Sequence, residues 1–187
     1  MSDRQRLCDA VKLIAWGYVL IYLDVSISTL NILPNWLGYM LFLRALPALS
    51  EEERSAELLK PLGTALVVWE LIKWVAVMFG ASFDAGTIGI LSNIVGYIMA
   101  VAGMYFHFQL LTNLADAAER YGSIQSGKIL RLRAANTVIM VILALPLPWY
   151  NIEAVAIMLL IAMLVVAIWI CYVLFLVKKE LEAMDEN

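Results

Sequence analysis

At 187 residues the chain has room for one domain, and 63% of it is apolar, with a mean hydropathy of +0.84. A soluble domain of this size has too much surface for its volume to hide that many apolar side chains, so an ordinary soluble globule is excluded and a bilayer is the fitting solvent. The net charge of −3 leaves no basic footprint for nucleic acid, and two distant cysteines, Cys8 and Cys171, exclude a disulfide framework.

A membrane-crossing helix needs about 20 mostly apolar residues. In chain order the candidates are 11–31, 35–49, 61–83, 86–110, 134–150 and 153–177. The first follows a basic start (Arg4, Arg6, Lys12) like that of a signal peptide, but without an Ala-x-Ala site it is expected to be a retained helix. The second is short and bounded by Pro34 and Pro47, and the fifth ends at the two prolines of 145–150. Between the spans, Ser50-Glu51-Glu52-Glu53 has the form of a capping box that starts a short polar helix to about Leu59. Residues 113–120 extend the fourth span into water until Tyr121-Gly122, and 178–187 form a solvated helix end.

The lysines and arginines fix an expected orientation. Apart from Lys73 in the third span, they sit in the N-terminus, at and after the end of the second span, after the fourth, and in the tail, while the turns near 31–35, 82–87 and 150–153 hold none. Positive-inside bias therefore predicts six spans with both termini cytoplasmic; five or seven would put a basic cluster outside. The expected fold is an all-α polytopic membrane bundle occupying 1–187, with helix hairpins at about 11–49, 61–110 and 134–177 and cytoplasmic helical segments at about 50–60, 111–133 and 178–187.

An internal repeat supports the hairpins. Residues 13–39 and 71–97 align without gaps at an offset of 58, and ten of the 27 positions are identical. Membrane composition alone gives roughly three. The matches include Trp16 with Trp74 and the corner Ile32-Leu33-x-Asn35-x-x-Gly38-Tyr39 with Ile90-Leu91-x-Asn93-x-x-Gly96-Tyr97. Asn151 falls at the same place in a weaker third copy. Hairpins that begin and end on one side are parallel repeats, unlike the inverted repeats of many transporters. Within the corner, Asn35 and Asn93 are expected as helix N-caps, Gly38 and Gly96 as close-approach positions, and Tyr39 and Tyr97 as donors to a neighbouring helix or the interface.

The corner Leu33-Pro34-Asn35-Trp36-x-Gly38-Tyr39 resembles that of small uncharacterised membrane proteins of Gram-positive and anaerobic bacteria. The resemblance spans about 40 residues, implies a bacterial plasma membrane, and brings no activity with it.

Charged residues at bilayer depth are costly and mark functional sites. Asp24 lies in the first expected span and, at helical spacing, would share a face with Ser28 and Asn31. Glu70 and Lys73 are spaced for an i,i+3 pair between Trp69 and Trp74. Hydropathy puts them at mid-membrane; the repeat, which aligns Glu70 with Lys12, puts them at the inner rim and is the preferred frame. Asp84 belongs near the outer end of the third span. His107, without partners at ligand spacing, reads as a hydrogen-bonded residue rather than a metal ligand, and the methionines read as packing. No catalytic motif, cofactor loop or metal cluster is expected, so an enzyme is disfavoured. The favoured role is a small-solute or ion transporter, channel, or substrate-binding membrane subunit, similar in size and span number to the substrate-binding components of energy-coupling-factor vitamin transporters though without their loop motifs. The alternative is a non-transporting immunity, assembly or regulatory partner acting through its cytoplasmic helices. Lipid is the expected surrounding; the loops admit a protein partner and the chain a homo-oligomer.

Overall fold

The computed structural model describes residues 3–22, 26–27, 30–31, 34–79, 86–145 and 152–185. Six helices account for nearly all of them: α1 (Asp3–Tyr22), α2 (Asn35–Glu52), α3 (Leu59–Met78), α4 (Gly86–Arg120), α5 (Ser126–Ala144) and α6 (Glu153–Asp185). Three stretches, Arg54–Met78, Gly89–Arg120 and Glu153–Met184, are long and apolar enough to cross a membrane. The other three helices fall short for visible reasons. α1 carries Asp3, Arg4, Arg6, Asp9 and Lys12 in its first half, α5 opens with Lys128, Arg131 and Arg133, and α2 holds Arg44, Glu51 and Glu52.

Three boundaries differ from the sequence expectation. The first helix stops at Tyr22 rather than 31. Beyond it Ser26–Ile27 (β1) pairs antiparallel with Leu30–Asn31 (β2), Ser26 opposite Asn31. The β-branched, serine-rich sequence around the two strands has weak helix propensity. Helix α2 runs through Pro47 to Glu52, and Ser50, expected as an N-cap, lies inside it with its hydroxyl donating to the Pro47 carbonyl at 2.8 Å. The short polar helix that Ser50 was expected to start is a 3-10 segment at Arg54–Leu58. Helix α4 does extend to Arg120. Gly122 at φ 75° closes it, the Ser123 N–H bonding Ala118 O at 2.9 Å and the Gly122 N–H bonding Glu119 O at 2.8 Å, a Schellman cap.

The core is concentrated at one end. α1 packs against α2 and α6, α2 against α3, and α4 against α5. Most of the fully buried residues come from the first two helices (Leu7, Ile14, Tyr18, Phe42, Leu46, Leu49) and from the C-terminal halves of α4 and α6 (Phe106, Leu110, Leu114, Val173, Val177, Leu181), joined by Leu59 at the start of α3 and Ile129 at the start of α5. Both termini meet there, since Arg4 donates to the Met184 carbonyl and Arg6 pairs with Glu51 at 3.0 Å. Arg120 pairs with Glu53 at the same end, and Glu180 accepts from Ser123 at 2.6 Å and Gln125 at 2.7 Å. At the other end the helices present large apolar side chains outward: Ile90, Leu91, Ile94, Ile98 and Val101 on α4, and Ile157, Leu160, Ile161, Leu164 and Ile168 on α6. Exposed aliphatic faces on long apolar helices are what lipid, not water, would solvate.

At the α1–α2 crossing two glycines face each other. A methyl on Gly38 would lie 2.8 Å from the Gly17 carbonyl oxygen, and one on Gly17 would lie 2.4 Å from Phe42. Only glycine lets the two backbones meet there.

Candidate functional site

Of the residues singled out from sequence, Asp24, Ser28 and Asp84 lie outside the described residues. Asn31 is in β2 and not on a helix. Asn35 is not the N-cap of α2; Pro34 is, and the Asn35 side-chain oxygen is buried without a hydrogen-bond partner among the described residues. Asn93 lies two turns inside α4, because that helix begins at Gly86.

Two of the corner residues do meet their expectation. Gly38 makes the close crossing, and Tyr39 reaches a neighbouring helix. Its hydroxyl is 3.2 Å from His107 Nε2, and the Tyr18 hydroxyl is 3.3 Å from His107 Nδ1. His107 is 3% exposed, and Phe42 and Phe106 close around it with ring centroids 5.8 Å away. The imidazole thus ties α1, α2 and α4 together. In either tautomer one ring nitrogen donates to one tyrosine and the other accepts from the second, which satisfies all three groups. Below this node, Ser55 donates to Asn113 at 2.8 Å and Gln109 to Asn113 at 2.7 Å, fixing the 3-10 segment to α4. Arg133 bonds Thr112 at 2.8 Å and lies 4.3 Å from the Phe108 ring centre, joining α5 to α4.

Glu70 and Lys73 form the expected pair, with Nζ and Oε1 2.6 Å apart. They sit midway along α3, not at its start. Leu59, Gly63 and Leu66 precede them on the same helix and are buried, Gly63 against Leu43 and Phe106. The two matched hairpins are slipped differently. Gly38 meets Gly17 and Ile21, whose partners at the 58-residue offset are Val75 and Phe79. Gly96 instead has Trp69 as its nearest neighbour, at 4.0 Å, nearly two turns earlier on the helix.

The pair lines a cavity of about 360 Å³ between α2, α3, α4, α5 and α6. Around it stand Tyr39, Trp69, Gly96 and Gly103, and the thioethers of Met99, Met104, Met140 and Met163. A second cavity of about 550 Å³ shares Trp69, Lys73, Gly96 and Ala100 with the first and adds Ser92, Asn93 and Tyr97. Together they make one cleft, from a deep apolar part beside Glu70 to an end lined by Asn93 and Tyr97. At the 58-residue offset Phe42, which fills the α1–α2 contact, corresponds to Ala100, a small side chain that lines both cavities, and Gly17 corresponds to Val75.

Sequence reasoning read the cleft's methionines as packing and passed over Ala100. Carrying the repeat comparison three residues past Tyr39, to Phe42 and Ala100, would have exposed the difference in size there. Among the described residues no group of three or more His, Cys, Asp or Glu could hold a metal. No protein-family model matches the chain, and no curated protein or solved structure matches it either.

Proposed function

We propose that this chain is a bacterial plasma-membrane protein of six spans, with both termini cytoplasmic, that binds a small solute in the α3–α4 cleft and passes it across the bilayer or delivers it to a transport partner. The observation that carries this reading is the Glu70–Lys73 pair. Both residues belong to one helix, so the pair fastens no two elements together, and an i,i+3 pair contributes only about 0.2–0.5 kcal/mol to a helix in water. Placing two charges in an apolar bundle costs far more than that unless a polar cavity or a ligand uses them. The cavity volumes lie in the usual range for small-molecule sites.

The termini, the 3-10 segment and the segment after α4 gather at one end with the basic residues, and the positive-inside rule assigns that end to the cytoplasm. The matched hairpins fit an ancestral duplication whose second copy became the binding half. A role through cytoplasmic docking draws less support, because Arg6, Glu51, Glu53 and Arg120 pair within the chain.

Reconstitution in liposomes tests the reading. Passage of a panel of labelled small solutes and inorganic ions is compared for the unmodified protein, Glu70→Gln and Lys73→Met. Loss of passage of one solute in Glu70→Gln supports it. Passage identical in all three proteins refutes the cleft as the pathway.

A further inference from the structure

We propose that the cleft's ligand is an amphipathic organic cation, a hydrophobic body carrying one positive centre that pairs with Glu70; this inference rests on the solute-binding reading above. Three observations carry it. First, the two members of the ion pair are unequally placed. The Glu70 side chain is 16% exposed and that of Lys73 is 44% exposed. The carboxylate is the inward member, and the lysine, on a flexible four-carbon stem, is the one free to swing away and leave its place to another cation.

Second, the wall around that carboxylate is apolar and deformable. Four methionines line the deep cavity, out of nine in the whole chain. Unbranched thioethers reshape around ligands of differing outline and suit a hydrophobic body better than a hydrogen-bonding one such as a sugar or an amino acid. Third, Trp69 and Tyr39 line the same cavity. Aromatic faces attract cations through their quadrupole and repel anions. A small hydrated ion or a sugar would find few polar partners in the deep part; a lipophilic cation finds a counter-charge, aromatic faces and soft walls together.

The probes are tetraphenylphosphonium and tetraphenylborate, which share a shape and differ in the sign of charge. Binding to the purified full chain in detergent is measured by equilibrium dialysis, with protein-free detergent subtracted. The expected result is protein-dependent binding of the phosphonium, weakened tenfold or more in Glu70→Gln and retained or tightened in Lys73→Met. Gly96→Trp, which fills the cleft without changing charge, should also abolish it. Size-exclusion profiles of the variants show whether they fold. Equal or better binding of the borate, lost in Lys73→Met and not in Glu70→Gln, overturns the inference and leaves the solute cleft standing. Binding of neither ion also overturns it. In that case Ala100→Cys decides the wider reading: reaction with a small polar thiol reagent in membranes keeps the cleft, and no reaction removes both.

Discussion

Replacing His107 with phenylalanine tests the polar node on which three helices converge. The ring is nearly isosteric, so cavity formation is a minor part of the effect; what changes is the hydrogen bonding of two tyrosines. A hydrogen bond between membrane helices contributes about 0.6 kcal/mol on average, and a buried hydroxyl left without a partner costs about 1–3 kcal/mol. The two hydroxyls are not equivalent. Tyr39 lines the cleft, so water entering there can reach it, whereas Tyr18 is 0% exposed and has no such recourse. Most of the loss therefore falls on Tyr18, and the total is expected at about 2–3 kcal/mol. For a chain of this length that lowers the thermal midpoint by roughly 5–10 °C. The assay is thermal unfolding in detergent followed by thiol exposure. Cys8 is buried, and burial with help from Glu182 pushes its thiol up to about 11, so it is largely unreactive at neutral pH until the structure opens. The decisive comparison is the double variant His107→Phe/Tyr18→Phe, which removes the stranded hydroxyl and should recover at least half of the loss. If the single change costs nothing, or the double variant is worse than the sum of its parts, the node is not what holds α1, α2 and α4 together.

The helix crossing gives a contrast within one repeat: Gly38→Ala should destabilise by about 1–3 kcal/mol because its methyl meets Gly17, whereas Gly96→Ala should be neutral or slightly stabilising, both read by the same thermal assay. Tyr121 donates to Glu52 at 2.6 Å, a bond that, with burial and the glutamate charge, raises its pKa to about 12. A raised folded value means the contribution is complete below the unfolded value near 10 and fades as pH rises through the folded one; stability should fall across that window, and Tyr121→Phe should flatten the fall. Orientation is checked by cysteine labelling of Arg131→Cys in intact cells, where an impermeant reagent should fail to reach it and should succeed once the membrane is opened.

Hydropathy and proline placement located the starts of α2, α3, α4 and α6 to within two residues, whereas α5 begins at Ser126, eight residues before the expected 134, because its charged first turns carry no hydropathy signal. The same signal overran α1, which ends at Tyr22, and Ser26–Ile27 and Leu30–Asn31, expected within the span, pair as strands. The histidine's partnership with Tyr39 was half legible, since a lone buried histidine must find a partner, but Tyr18 carries no sequence mark of its own. Glu70 and Lys73 were legible as a pair, but how they sit against the neighbouring helix was not. That depends on how far one helix slides along another, a property of Gly17 and Val75 that a list of shared residues does not display.

The order of the helices along the chain sets the order in which they can be covered. α1 is made first and rests on two neighbours, α2, which follows at once, and α6, which is made last. One flank of the first helix, including Trp16, whose ring meets Phe175 edge-on at 6.0 Å, waits without its partner while everything between is synthesised. A chain stopped before α6 thus carries an incompletely covered α1, whose Arg4 can reach the Met184 carbonyl only once α6 is present.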